Sequence, residues 1–433
     1  MSWNRRYAFI SYIRSSLWIA PFIALAVSLL ALKVIEGFSL DPGWIPGFAF
    51  SETGKQSAMD TDITLNMTFI VFAFGSLLVA IQVAGGQLTP RIIATMLLRD
   101  NVIRGAVALF TVGLVLAVAA RNRLETIPQF AISLAAILGL LSTVTFLFLI
   151  DYAARMLRPV SIMWRVGEQG LRVIEQLYPH PTGHAPAHAQ PLPAPGPPDR
   201  SVPHRGTSGI VLAVNVDALV AAARRADGVI EFAPLVGDFV AVGEPLFLLR
   251  GGATALDNRM LRAQVAFGAE RTIEQDSTFA LRVIVDIAAK ALSKAINDPT
   301  TAVLAIDQLH RLLRAVGKRH LRGGALRDGD GHIRLIYRTP NWEEFVQLAC
   351  TEIRQYGAES TQVARRLRAM IDNLMSTLPE HRRPALRREL DRLDRTLERL
   401  YALPEDLALA RTADTQGLGG TAHTVNGESR DGG

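Results

Sequence analysis

The stretch FAISLAAILGLLSTVTFLFLI, Phe130 to Ile150, runs for 21 residues without a charge and is closed by Asp151. At 1.5 Å of rise per residue a helix of that length spans about 30 Å, the thickness of a bilayer's hydrocarbon core. Three more runs share the character: Ser15 to Leu32, a run within Ile63 to Pro90, and Gly105 to Ala120. Lipid offers the backbone no hydrogen-bond partners, so each run is expected to satisfy its own amides as a helix. Pro21 would kink the first, and Arg104 and Arg121 would snorkel from the ends of the short third run.

Cationic residues flanking such runs are retained on the cytoplasmic side. Arg5, Arg6 and Arg14 precede the first run, Arg91, Arg99 and Arg104 separate the second and third, and Arg155, Arg158 and Arg165 follow the fourth. The opposite side carries Lys55 against Glu36, Asp41, Glu52, Asp60 and Asp62, although Arg121 and Arg123 count the other way. The balance predicts both termini in the cytoplasm. Counted this way, no run has an ionisable residue in its middle, which argues against ion-coupled transport. Asn66, Ser76, Gln82, Thr143 and Thr145 read as hydrogen-bonding groups between helices, with Gln82 in an ion path as the sharper alternative. Between the second and third runs, Thr89-Pro90 opens a short apolar segment, Ile92 to Arg99, expected to lie along the interface. A gate or lipid sensor is its alternative reading.

Apolar residues make up 49% of the chain and charged residues 20%, with the apolar share concentrated in the first 150 positions. A net charge of +6 fits cytoplasmic segments facing anionic lipid. No aromatic-plus-basic motif points to nucleic acid. The lone cysteine, Cys350, precludes an intramolecular disulfide. The N-terminal run is long and lacks a cleavage pattern, so it is not read as a signal peptide.

Beyond residue 150 the composition is that of soluble protein. The expected organisation is a membrane domain over 1–150, a helical extension over 151–178 interrupted at Pro159, and a linker over 179–207. A small β-rich module over 208–252, a helical domain with a hairpin over 253–405 and a disordered tail over 406–433 complete it. Pro179 to Pro203 holds nine prolines in 25 residues and is read as unable to bury a core. His180, His184 and His188 recur every four residues, but the intervening prolines deny them the helix that would align metal ligands. In the module, Asp217 is expected to cap a helix over Ala218 to Arg225, with strands at Gly209 to Val214, Val229 to Phe232 and Leu246 to Leu249. GDFVAVGEPL, residues 237–246, is similar to the hairpin of barrel-sandwich modules that carry biotin or lipoate on a lysine. No lysine occurs between Lys55 and Lys290, so a carrier role is excluded.

The block from Arg271 to His310 is the richest. Phe279, Val283, Ile284, Ile287, Ala288 and Leu292 trace one helical face. Asn297-Asp298-Pro299 closes that helix and opens the next, with Asp298 as cap. Asp276, Arg282, Asp286, Asn297 and Asp298 are the polar cluster able to form a binding site, although Arg282 and Asp286, four apart, also read as a surface pair. Asp328-Gly329-Asp330-Gly331 marks a hairpin turn and lacks a calcium loop's terminal glutamate. Helices follow from Trp342, and Glu380 to Leu400 reads as a solvated or helix-pairing surface.

Three segments together carry a family resemblance: QVAGGQLTPRIIATMLLRD at 82–100, GDFVAVGEPL at 237–246 and DSTFALRVIVDIAAKALSKAINDPTTA at 276–302. The chain resembles the bacterial predicted membrane proteins grouped as domain of unknown function 2254, over roughly residues 10 to 400. Lys294 stands where that pattern leads one to expect proline, and Gly85-Gly86 where serine would fit. The resemblance implies an inner-membrane protein and supplies no activity. The expected fold is thus a multi-pass α-helical membrane protein with four transmembrane helices and a cytoplasmic α+β region holding a small barrel-like module.

Ser-His-Asp sets, metal-spaced clusters and phosphate loops are absent from the sequence, so no catalytic residue, metal or cofactor is assigned. The expected function is a non-enzymatic, membrane-anchored protein, self-associating in the bilayer, whose cytoplasmic part binds a small molecule or protein. An oligomeric channel gated by that part, and a membrane-bound enzyme, are the alternatives.

Overall fold

The computed structural model describes residues 2–7, 9, 22–27, 30, 52–87, 100–122, 129–156, 158–182, 196–321 and 324–419. They fall into two compact units, one drawn from Phe9–Ile162 and the other from Met1–Ala8 and Met163–Gly433. The expected run Ser15 to Leu32, the segment Ile92 to Arg99, His184 and His188 lie largely or wholly outside the described residues.

The first unit is built on helices α1 (Glu52–Gln87), α2 (Asn101–Asn122) and α3 (Gln129–Met156), each packed against the other two. Among the described residues three stretches are long and apolar enough to cross a membrane: Thr53–Val79, Asn101–Asn122 and Ile132–Ala153. Large apolar side chains are exposed along them, including Val71, Leu78, Leu140, Val144 and Leu147. Apolar patches of that extent are costly in water and suit lipid. Inside, Phe69, Phe110 and Leu149 share one core, and Phe69 stacks on Phe146 with ring centroids 4.2 Å apart. Asp100 caps α2 through the amides of Val102 and Ile103, at 2.9 and 3.3 Å, and accepts a 2.6 Å bond from Tyr152 of α3.

One expectation needs correction. The second run was counted from Ile63, but α1 starts at Glu52 and has 36 residues. It is about 54 Å long, well over the hydrocarbon thickness. Lys55, Asp60 and Asp62 therefore sit on a helix rather than in a loop, and Asp62 faces the unit's interior.

In the second unit, α4 (Pro159–Leu177) opens at Pro159, where proline's missing N–H costs nothing. Its stripe of Ile162, Met163, Val166, Val173 and Ile174 is buried. The β region comprises β1 (Arg200–Pro203), β2 (Gly209–Val214), α5 (Val216–Arg225), β3 (Gly228–Phe232), β4 (Phe239–Val240) and β5 (Pro245–Gly251). It continues through α6 (Asn258–Arg262) and β6 (Val265–Gly268) and recruits β7 (Ala325–Arg327) and β8 (Ile333–Tyr337). The strands form two sheets, ordered β1-β5-β3-β8-β7 and β4-β2-β6. Val211, Val240 and Val265 of one sheet share a core with Ile230, Phe247 and Leu249 of the other.

Four details depart from expectation. β4 and β5 lie in different sheets, so GDFVAVGEPL is not a paired hairpin. Asn215, rather than Asp217, caps α5, accepting from Ala218 N. β1 belongs to the segment read as linker, and its Val202 is fully buried, because proline at a strand's end leaves the pairing of its neighbours intact. β8 pairs parallel with β3 across about 100 residues of sequence, so the β region extends well past residue 252.

The helical layer is α7 (Ser277–Ala291), α8 (Pro299–Gly317), α9 (Trp342–Gly357), α10 (Thr361–Thr377), α11 (Arg383–Leu400) and α12 (Pro404–Ala410). Its starts are written locally. Asp276 caps α7, Asp298 caps α8 with Pro299 following, and Asn341 forms a capping box with Glu344 on α9. α11 is a pairing surface, burying Leu386, Leu393 and Leu397 against α9 and α10. Residues 406–419, read as part of a disordered tail, include most of α12, and Asp414 accepts amide bonds from Gln416, Gly417 and Gly419.

Candidate ligand cavity and a buried polar knot

A cavity of about 230 Å³ lies beyond the carboxyl ends of the parallel strands β3 and β8, bounded by the end of α4 and the start of α7. That position, outside the carboxyl ends of parallel strands, is where α/β folds place ligands. Val214, Phe232, Leu235, Val236 and Leu335 make most of its wall, and Tyr178, Gln275, Asp276 and Ser277 supply polar groups.

Asp276 is 4% exposed. Its Oδ1 accepts from Thr278 N and Phe279 N at 3.0 and 3.1 Å and from the Thr278 hydroxyl at 2.6 Å. Its Oδ2 is buried without a hydrogen-bond partner. Burial raises the carboxyl's pKa, against the pull of Thr278, Arg271 and the capping amides. Gly237 passes close by: its φ is +97° and a Cβ there would strike Asp276 Oδ2, so glycine meets both demands. The Tyr178 hydroxyl lies 3.4 Å from Ser277 Oγ, and burial pushes the phenol up to about 12. An apolar chamber edged by a buried carboxyl group, with Arg338 and Thr339 also in its wall, can hold a small, mostly apolar molecule by a hydrogen-bonding head.

The five residues singled out from sequence do not converge. Asp276 enters the cavity. Arg282, midway along α7, bonds Asp286 Oδ1 at 2.7 Å and reaches Glu352 Oε2 of α9 at 2.7 Å, an arrangement that raises the guanidinium pKa, first through Glu352. Asn297 takes a φ of +49° in the turn between helices, and Asp298 caps α8 through Thr301 N at 3.0 Å. Asp276 and Asp298 stand at opposite ends of a 15-residue helix, about 22 Å apart along its axis.

The first unit holds a second polar feature. Asn66, fully buried, donates to Asp62 Oδ1 at 2.7 Å and to the Asp62 carbonyl at 3.0 Å. Asp62 Oδ2, Asn66 Oδ1 and Ser142 Oγ are buried without partners. Glycines admit the pair: a Cβ at Gly139 of α3 would collide with Asp62, and one at Gly113 of α2 would lie 3.0 Å from Asn66. Gln82, the residue favoured from sequence for an ion path, is exposed on α1. The cue for the knot was an Asp-x-x-x-Asn pair at helical spacing, hidden by starting the run one residue after Asp62.

Among the described residues no group of three His, Cys, Asp or Glu is placed to hold a metal. Cys350 is buried in α9 and its thiol pKa is raised, chiefly by burial.

The model of a family described as Predicted membrane protein (DUF2254) matches residues 14–373. Similar chains include the uncharacterized proteins Mb1321c of Mycobacterium bovis and Rv1290c of Mycobacterium tuberculosis. Each is 28% identical over 428 residues, covering 94% of this chain and 81% of the relative. MT1328, an uncharacterized protein of M. tuberculosis, is 27% identical over 425 residues with the same coverage. No solved structure matches. The match runs from before the first described apolar helix to within α10, across both units, and the chain belongs to this family of predicted membrane proteins.

Proposed function

We propose that the protein is a multi-pass inner-membrane anchor for a ligand-binding cytoplasmic region, with four spans, both termini cytoplasmic and self-association in the bilayer. On this reading the apolar run Ser15 to Leu32 is the remaining span, and the two β sheets that share one core are what supports a barrel-like module. Arg121, which counts against this orientation, is paired with Asp60 at 2.8 Å. The ligand is a small molecule with an apolar body and a hydroxyl or amine head, and the role is non-enzymatic. The observation that carries the reading is an apolar cavity whose wall includes Asp276, a buried carboxyl with one oxygen lacking a hydrogen-bond partner.

The test is thermal unfolding of the full chain in detergent with a panel of short-chain alcohols and amines. A head-group-dependent rise in Tm is expected for wild type and not for Val236→Phe, which fills the chamber. No rise from any member, or an equal rise in both proteins, would overturn the reading.

A second reading, an oligomeric channel, is favoured by the Asp62–Asn66 pair, because ionisable groups held between membrane helices mark ion paths. It expects conductance from the reconstituted oligomer that Asp62→Ala removes. Silent bilayers from folded wild-type protein would sink it.

A further inference from the structure

Arginine in the second unit is, as a rule, matched with carboxylate. Arg250 meets Glu231 at 2.8 Å, Arg334 meets Asp328 and Asp227 at 2.6 and 2.9 Å, and Arg366 meets Asp307 at 2.6 Å. Arg311 pairs with Glu168, and Arg368 with Asp394. A cluster of cations near the N-terminal arm has no such match among the described ion pairs.

A cavity of about 430 Å³, separate from the one at Asp276, is lined by Arg5, His204, Arg205, Arg259 and Arg262, with no carboxylate in its wall. Three segments far apart in sequence bring these cations together. The N-terminal arm is held to the β region by Asn4 N on the Ala263 carbonyl at 3.3 Å, and by Tyr7, whose hydroxyl donates to Glu274. The turn after β1 supplies His204, seated on Phe267 with centroids 4.2 Å apart, and Arg205. The short helix α6 supplies Arg259 and Arg262.

Arg262 is the telling residue. Its Nε donates to the Pro203 carbonyl at 3.0 Å, while its Nη2 is buried with no partner. Burial lowers its pKa, and Arg205 and Arg200 add repulsion that Asp257 offsets in part. Asp257 is itself engaged as the cap of α6, accepting from Met260 N at 2.9 Å. Arg200 binds only neutral acceptors, including the Leu256 carbonyl at 3.2 Å. Like charges gathered with only a partial counter-charge raise the free energy of the fold unless an anion joins them. Guanidinium forks match the oxygens of a phosphate group in pairs.

We propose that this basin is a phosphate-binding site, filled either by the headgroup of an anionic phospholipid or by a soluble phosphate. A lipid headgroup is within reach along the chain, since nine residues lie between Arg5 and Ser15, where the first apolar run begins.

The experiment follows thermal unfolding of the full chain in two settings. In detergent, inorganic phosphate replaces chloride at constant ionic strength. In nanodiscs, phosphatidylcholine is compared with phosphatidylcholine plus phosphatidylglycerol. A rise in Tm is expected in at least one setting, with Arg205→Gln/Arg262→Gln cutting the apparent affinity at least ten-fold. A phosphate response identifies a soluble source and a phosphatidylglycerol response a lipid source; either upholds the site. No response in both settings, or a response unchanged in the double variant, overturns it. Arg205 is exposed and makes no described ion pair, so Arg205→Gln alone carries the test if the double variant does not fold.

Discussion

Asp62 and Asp276 are both carboxyl groups withdrawn from water, and they are held in opposite ways. Asp276 does structural work with one oxygen, closing the first turn of α7, and leaves the other buried without a hydrogen-bond partner. Asp62 caps nothing. It lies ten residues into α1 with Asn66 as its side-chain donor, in a slot that two glycines open. The first placement stabilises a helix while presenting a free acceptor. The second brings no comparable structural return, and an uncompensated polar group between membrane helices is the kind of cost that function retains.

The largest expected effect is at the slot. Gly139→Val would drive two methyls toward Asp62 and is expected to lose about 3 kcal/mol or more, seen as loss of folded protein in detergent. Gly75→Ala on α1, with nothing within 4 Å of the added carbon, is the matched control and should unfold like wild type. A tolerated Gly139→Val would mean that Asp62 is not packed between the helices.

Next is the cap. Asp276→Ala removes the acceptor for two amides and is expected to cost about 1 to 2 kcal/mol in chemical denaturation. Asp276→Asn keeps an acceptor and drops the charge. Because the folded-state pKa is raised, the carboxyl's contribution is whole below its unfolded value, about 3.9, and is lost as pH rises through the folded value. Stability of Asp276→Asn relative to wild type should therefore climb with pH. A flat difference would place the carboxylate in water.

The smallest effect concerns Arg282. A double-mutant cycle with Glu352 should give a coupling of about 0.5 to 1 kcal/mol that shrinks with salt, since both groups are partly exposed. Coupling beyond that range would assign the pair a role outside helix pairing.

These contrasts follow what a sequence can disclose. Asp276 reads from sequence only as a polar group able to form a site, whereas the cap at Asp298 was legible because capping is decided within three residues. So was the face of Phe279 to Leu292, and the pairing of Arg282 with Asp286. The polar knot was not, because charge-free counting started the span just past Asp62. The cavity was invisible for a different reason. Its walls come from residues near 177, 214, 235, 276 and 337, and only the parallel pairing of β8 with β3 brings them together. Val202 was hidden by the prolines around it, which describe composition and not the ladder of β1 on β5.

The central claim of the proposal is that the cavity edged by Asp276, a carboxyl with one unpartnered oxygen, is a ligand chamber. Its most direct test is the Tm difference between wild type and Asp276→Asn, followed from about pH 4 to about pH 8 with and without 1-hexylamine. The account predicts that the variant gains on wild type as pH rises, and that the amine, by bonding the carboxyl, reverses the gain. A difference indifferent to both pH and amine would contradict it.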